Sequence, residues 1–380
     1  MARESIITRN FVLAWLVSFA SFASFYFLLA TLPVYIVQVG GREAEVGFII
    51  GVFSGSALLL RPLVGRAADH WGRKSLILVG TGLLFISSLL YIPAQGVVPL
   101  LLVRVLHGVG WAAFGTAAFV LVADILPASR RGEGGGYYGM SVNLAMAAGP
   151  AVGVLLLQAF SFPFLFLSAA GVALVAFLFS GLLSEVPGTR GSSSAFMEKR
   201  ALFPSLVLSL SALTYGSIVS FLPLFARKQG IGNPGLFFTV FALALVLARG
   251  PLGRASDRWG RGATIIPGLL ASGVSLVLLS YASSLVLFLL MALLYGLAFA
   301  AVQPSLMALT IDRVPPQRRG AAMGLFGMAM DLGIGAGSFL WGFVAQVAGF
   351  PQMYRLAGLT SLVALVVFLA GRSPRGRGKT

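Results

Sequence analysis

Apolar residues run through this chain in stretches of about twenty, separated by short polar punctuation rather than alternating with it. Stretches of that length, wound as helices, match the ~30 Å hydrocarbon core of a bilayer. They lie near 11–37, 46–64, 75–94, 98–123, 134–158, 162–184, 201–225, 235–252, 263–283, 285–311, 321–347 and 352–371. The pattern predicts an all-α polytopic membrane protein of twelve transmembrane helices. Several runs contain Gly or Pro, which membrane spans tolerate better than soluble helices do. The first run is too long for the h-region of a cleavable signal and lacks a small-residue cleavage site. One long polar connector, SEVPGTRGSSSAFMEKR from Ser184 to Arg200, reads as a flexible linker. It divides the chain into a six-helix unit over 1–184, a linker over 185–200 and a second six-helix unit over 201–380.

Composition sharpens this picture. Hydrophobic residues make up 58% of the chain and charged residues 10%, more apolar surface than a soluble core can hide. The net charge of +16 suggests nucleic acid in a soluble protein, but here the positive-inside rule accounts for it. Lys and Arg collect in the connectors after runs 2, 4, 6, 8 and 10 and at the termini. The opposite connectors hold only Arg42, Arg227, Lys228 and Arg355, and Arg104 falls inside a run. Both termini are therefore expected in the cytoplasm, with the chain in the plasma (inner) membrane. The partner is a lipid bilayer and no nucleic acid. The basic tail GRSPRGRGKT reads as a topology signal that can also touch anionic lipid. With no cysteine and only two histidines, neither a metal site nor a cofactor is expected. No Gly-x-x-x-x-Gly-Lys-Ser/Thr loop and no Ser/His/Asp cluster is present, so neither an enzyme nor an ATP-driven pump is expected.

The two halves repeat. GRAADHWGR at Gly65 matches GRASDRWGR at Gly253, an offset of 188. The same offset pairs Arg61 with Arg249, Gly108 with Gly296, Asp124 with Asp312, Gly139 with Gly327 and Gly149 with Gly337. One offset held over some eighty positions marks an internal repeat. Six spans per copy insert both copies in the same sense. Two such parallel repeats about an axis normal to the membrane, with a site between them, are a recurring transporter plan.

At these residues the chain resembles the major facilitator superfamily along essentially its whole length. Gly65-x-x-x-Asp69-x-x-Gly72-Arg73-Lys74 is similar to the family's motif between the second and third spans, and Gly253 to Arg261, with Asp257 and Gly260, repeats it. RVLHGVGWA, from Arg104, resembles the family's fourth-span motif. AMAAGPAVG, with Gly149, Pro150 and Gly153, resembles the fifth-span motif associated with antiporters. Twelve-helix drug and metabolite exporters are the nearest subgroup, but many of them carry a carboxylate in the first span and Phe11–Val37 has none. The resemblance implies that Asp69 meets the start of the eleventh span near Gly320, across the halves, as a clasp formed only when the cytoplasmic side is closed. It also implies that Arg73 pairs with Asp124, and the repeat supplies the same pairing as Arg261 with Asp312.

Few residues at membrane depth carry chemistry. Arg104 lies about two turns into its helix, and such a residue needs a partner or water. His107 shares its face three residues on, with packing or hydrogen bonding favoured over proton relay. Asp331 is the single carboxylate well inside an apolar run, and its repeat partner is the neutral Asn143. Burial disfavours its charged form, so its proton can load and leave near neutral pH, and substrate competing with that proton gives antiport. Asp331, Arg104 and His107 are thus the candidates for coupling. Tyr26, Asn143, Tyr215, Tyr295 and Gln303 are candidates for a cavity wall. Small residues every four positions at Ala145, Gly149 and Gly153 permit close helix approach, and Pro150 is expected to bend its helix.

These features point to a secondary transporter of a small organic molecule, expected to act as a monomer and to expel cargo in exchange for protons. Uptake by symport or uniport of a sugar, organic acid or other nutrient is the alternative. A non-transporting sensor on the same scaffold is a third, which the short linker and tails leave without a signalling domain.

Overall fold

A computed structural model describes residues 5–127, 130–185, 198–315 and 318–371, and among them there are helices and no strands. In chain order the helices are α1 (Arg9–Leu29), α2 (Leu32–Gln38), α3 (Glu43–Trp71), α4 (Arg73–Leu90), α5 (Val97–Ile125) and α6 (Arg131–Ala159). They continue as α7 (Phe162–Gly181), α8 (Leu202–Lys228), α9 (Gly235–Trp259), α10 (Gly262–Leu279), α11 (Leu285–Arg313) and α12 (Arg319–Ala370). Eleven of these are long and apolar enough to cross a membrane. The last, α12, holds two of the runs, joined at Gly349, whose φ of +79° breaks the helical path. Counting its limbs apart gives the twelve spans that the apolar runs predict.

Two elements depart from the sequence pattern. The first run, 11–37, is two helices, because α2 restarts after Ala30–Thr31 with Pro33 in its first turn, where a missing N–H costs nothing. The charged stretch after the second run is not a loop. Helix α3 carries straight through it to Trp71, and α9 does the same through its repeat to Trp259. What remains is Gly72 alone in the first connector and Gly260 with Arg261 in the second, the glycines at φ of +84° and +85°, a conformation that L side chains rarely adopt. One such residue reverses the chain into the next helix.

Helices α1 and α3–α7 pack chiefly among themselves, as do α8–α12, and the two sets meet mainly through α3 against α12 and α6 against α9. Arg73, Lys74, Arg200, Arg258, Arg261, Arg313 and Arg318 mark one end of the molecule, the basic end, where α1 starts and α12 finishes. At that end a single 3-10 turn, Lys199–Ala201, leads into α8. Glu198 accepts a hydrogen bond from the Arg200 backbone N–H and pairs with Arg318 Nη1 at 3.2 Å. That N–H, with Arg318 adding to it, holds the Glu198 carboxyl below the usual carboxylate range.

At the far end the halves are sealed by backbone contact. A Cβ on Gly51 would stand 2.9 Å from the Gly335 carbonyl oxygen, and one on Gly342 2.9 Å from that of Glu43. A Cβ on Gly47 would collide with the Ser338 carbonyl oxygen. Ala44 N–H donates across the same seam to Gln346 Oε1 at 3.3 Å. Toward the basic end the facing surfaces part: Gly135 on α6 and Gly324 on α12 meet nothing within 4 Å. The molecule is closed at the far end and open at the basic end.

Candidate substrate cavity

Between the halves lies a cavity of about 530 Å³, walled by α1, α3, α5 and α6 on one side and α8, α9, α11 and α12 on the other. That volume suits a drug-sized molecule. Much of the wall is aromatic. Trp111 packs against Phe25 and Phe22 with ring centroids 4.5 and 4.8 Å apart, and Phe25 stacks on Phe53 at 5.2 Å. Across from them Tyr215 and Phe299 are 5.2 Å apart. Tyr26, Asn143, Tyr215 and Gln303 all lie on the wall. Tyr295 does not: it is buried behind the wall, with its hydroxyl 2.9 Å from Thr214 Oγ1 and its ring against Phe241.

Among the described residues three charged side chains reach the cavity: Arg104, Arg249 and Asp331. Arg104 is 4% exposed, with its guanidinium 4.6 Å above the Phe53 ring, and its Nε has no hydrogen-bond partner among the described residues. His107, one turn along α5, points away from the wall. Its Nδ1 lies 3.0 Å from the Tyr91 hydroxyl and its ring meets Phe53 edge-on, so it ties α5 to the end of α4. The bonding role weighed for His107 is the one that this packing favours.

Asp331 Oδ2 on α12 lies 2.7 Å from Arg61 Nε on α3, an ion pair across the halves. It sits where the α3–α12 seam gives way to the open end. A Cβ on Gly327, one turn nearer that end, would still stand 3.3 Å from Arg61 Nη1. Arg61 falls near the end of an apolar run, where an arginine counts as one more positive-inside charge, and nothing in that pattern marks it as the partner of Asp331. The signal that does exist is its offset pairing with Arg249. The repeat-equivalent place is built alike: Arg249 Nη1 lies 4.0 Å from where a Cβ on Gly139 would stand, and Asn143 follows one turn on.

The Major Facilitator Superfamily model matches residues 14–236 and 205–380. The chain belongs to the major facilitator superfamily. Among its superfamily relatives, an uncharacterized MFS-type transporter of Methanocaldococcus jannaschii is 24% identical over 95% of this chain and 97% of the relative. The uncharacterized MFS-type transporter YhhS of Escherichia coli is 29% identical over 94% of this chain and 91% of its own. Solved structures share the fold at low identity. The nucleoside transporter NupG superposes with a TM-score of 0.75 at 18% identity, covering 96% of this chain and 99% of that one. The human organic anion transporter MFSD10 gives 0.70 at 20%, covering 94% and 98%. A POT family transporter in complex with 5-aminolevulinic acid gives 0.80 at 14%, covering 95% and 96%.

Of the superfamily motifs, the fourth-span one gives Arg104 and Trp111 to the cavity wall, and the others lie toward the two ends of the molecule. Arg73 Nε lies 3.2 Å from Asp124 Oδ2, and Arg261 Nε 2.8 Å from Asp312 Oδ2. Asp257 also pairs with Arg261, inside its own half, and the flanking carboxylates, Asp312 foremost, push the Arg261 guanidinium up. Gly65, Asp69 and Gly320 lie outside the residues whose side chains are described, and the expected clasp between Asp69 and Gly320 with them. The carboxylate that does cap a helix start here is Glu185, unforeseen in the sequence. It accepts the backbone N–H groups of Arg73 and Lys74 at 2.8 and 3.2 Å, where the α4 dipole favours negative charge. At the far end α6 runs unbroken through Pro150, with Gly149 and Gly153 against Tyr26 and Phe27 of α1. Gly235 of α9 approaches the Pro150 carbonyl oxygen, so the Gly-Pro segment is also a contact between halves.

Proposed function

We propose that this chain is a proton-coupled exporter of a small organic molecule. It works as a monomer in the plasma membrane, with its basic end and both termini in the cytoplasm. The observation that carries the reading is the Arg61–Asp331 pair, set across the halves at the inner limit of the far-end seam and reachable from the cavity. Protonating Asp331 removes the attraction that holds α12 to α3 at that level. Proton occupancy thereby biases the rocking of one half against the other, and alternating access about a central site is how parallel-repeat carriers work. The distribution of basic residues supports the orientation, so that the open cavity faces the cytoplasm and loads cargo there.

The test is transport in proteoliposomes with an imposed pH gradient. Substrate moving against an inward proton gradient supports export, and movement with it supports symport instead. Asp331→Asn should lower gradient-driven accumulation by at least tenfold while leaving substrate–substrate counterflow within about twofold, because exchange needs no net proton movement. Unchanged active transport in that variant sinks the coupling role.

A further inference from the structure

The repeat places two arginines in equivalent seats and gives only one of them a carboxylate. On the α3–α12 side Arg61 lies beside Gly327 and meets Asp331 one turn on. On the α6–α9 side Arg249 lies beside Gly139, and the residue one turn on is Asn143. Arg249 therefore faces the cavity with no ion-pair partner among the described residues, and Arg104 is in the same position on the opposite wall. Asp331 is already neutralised by Arg61, so the wall carries two guanidinium charges that nothing described offsets. Positive charge left unmatched in a partly dry cavity repels cations and draws in anions.

We propose that the cargo is an organic anion with an aryl body, whose negative group sits between Arg249 and Asn143 in the seat that Asp331 fills opposite Arg61. This rests on the reading of the cavity as a transporter's substrate site. The asparagine suits the purpose: its amide N–H can donate to a carboxylate or sulfonate, whereas an aspartate there would fill the seat from within. An arginine fork matches such a group with two parallel N–H donors. The rings of Phe22, Phe25 and Trp111 on one wall and Tyr215 and Phe299 on the other supply flat apolar surface for the rest of the molecule. Once bound, the anion would join α6 to α9 as the Arg61–Asp331 pair joins α12 to α3.

Two measurements on the full-length purified chain test this. Because the protein has no cysteine, Met330→Cys on the cavity wall gives a single thiol. Its reaction rates with sulfonatoethyl and trimethylammonioethyl methanethiosulfonate report the sign of the local potential. Relative to a free thiol, the anionic reagent should gain at least tenfold over the cationic one. Arg249→Gln should remove most of that gain, Arg249→Lys should keep most of it, and Asn143→Asp should remove it. A ratio equal to that of the free thiol, or one indifferent to Arg249→Gln, overturns the proposal. Binding of 1-naphthoate, 1-naphthalenesulfonate, 1-naphthamide and 1-naphthylmethylammonium is then followed by tryptophan fluorescence. The two anions should bind at least tenfold more tightly than the amide or the ammonium, and Asn143→Asp should erase the difference. Equal or tighter binding of the amide or the ammonium, or no binding by either anion, counts against an aryl anion. Binding needs no proton gradient, so a chain that passes here but shows no pH-driven transport loses only the proton coupling.

Discussion

Among the described residues Asp331 has one ion-pair partner, Arg61, and it lies on the cavity wall. The side chains of Arg61 and Asp331 are 28% and 16% exposed, so neither charge is fully solvated and neither is sealed off. Removing one member strands the other. Arg61→Gln or Asp331→Asn alone should cost roughly 1–3 kcal/mol of stability, below the ~3–5 kcal/mol of a sealed pair. The double variant should be less destabilised than the sum of the two, because it leaves no unpaired charge. Thermal melts followed by tryptophan fluorescence measure this, and strict additivity would show that the pair is not coupled. The sequence marks Asp331 plainly, since a lone carboxylate in an apolar run has no topological explanation. It hides Arg61, because a cation near the end of a span looks the same whether it faces a loop or a neighbouring helix. Tyr295 lies off the wall for the converse reason: polar residues at cavity depth share a helix with the wall, and only rotation about the helix axis decides which of them reach it. Its hydroxyl turns inward to Thr214, as His107 turns to Tyr91.

Between elements the decisive contacts are made by residues with almost nothing to contribute as side chains. Helices α3 and α12 close the far end because Gly47, Gly51, Gly335 and Gly342 let backbone meet backbone, the usual way membrane helices gain contact without a hydrophobic driving force. Such contacts act on the conformational equilibrium as much as on stability. A side chain at Gly47 would collide with the Ser338 carbonyl oxygen, and only separating α3 from α12 relieves that. Gly47→Val should therefore disfavour the state closed at the far end by about 1–3 kcal/mol, a shift of roughly 5- to 150-fold in population. In the cysteine-free chain, a single thiol at Gly135 should become less reactive to a membrane-impermeant reagent and one at Gln346 more reactive. Unaltered labelling at both positions would show the seam to be passive. Span number and order are legible in the apolar runs because a bilayer demands length and hydrophobicity of each. The ends of α3 and α9 are not, since a helix leaving the membrane can carry charged residues for several more turns. What stops them is Gly72 and Gly260, each at positive φ.

For the molecule as a whole, the repeat supplies two equivalent seats and a single substitution makes them unlike. Arg61 and Arg249 stand in register, as do Gly327 and Gly139, while Asp331 answers to Asn143. In this reading one seat answers to protons because it holds a carboxylate, and the other answers to cargo because it does not. Both lie on seams between the halves, so both bias the same rocking motion, and competition between proton and cargo follows without direct contact between them. If the seats differ only in that residue, exchanging it should exchange their roles. The pair of substitutions Asn143→Asp and Asp331→Asn moves the ionisable group to α6 and frees Arg61 on α3. Proton-driven transport, lost in Asp331→Asn, should return in the double variant to within about tenfold of the original chain, since each 1.4 kcal/mol of imperfect symmetry costs one decade in rate. Sensitivity of anion binding to charge removal should pass from Arg249 to Arg61. Recovery would make the repeat a functional symmetry as well as a structural one. A double variant no better than Asp331→Asn would instead tie coupling to surroundings that only α12 provides.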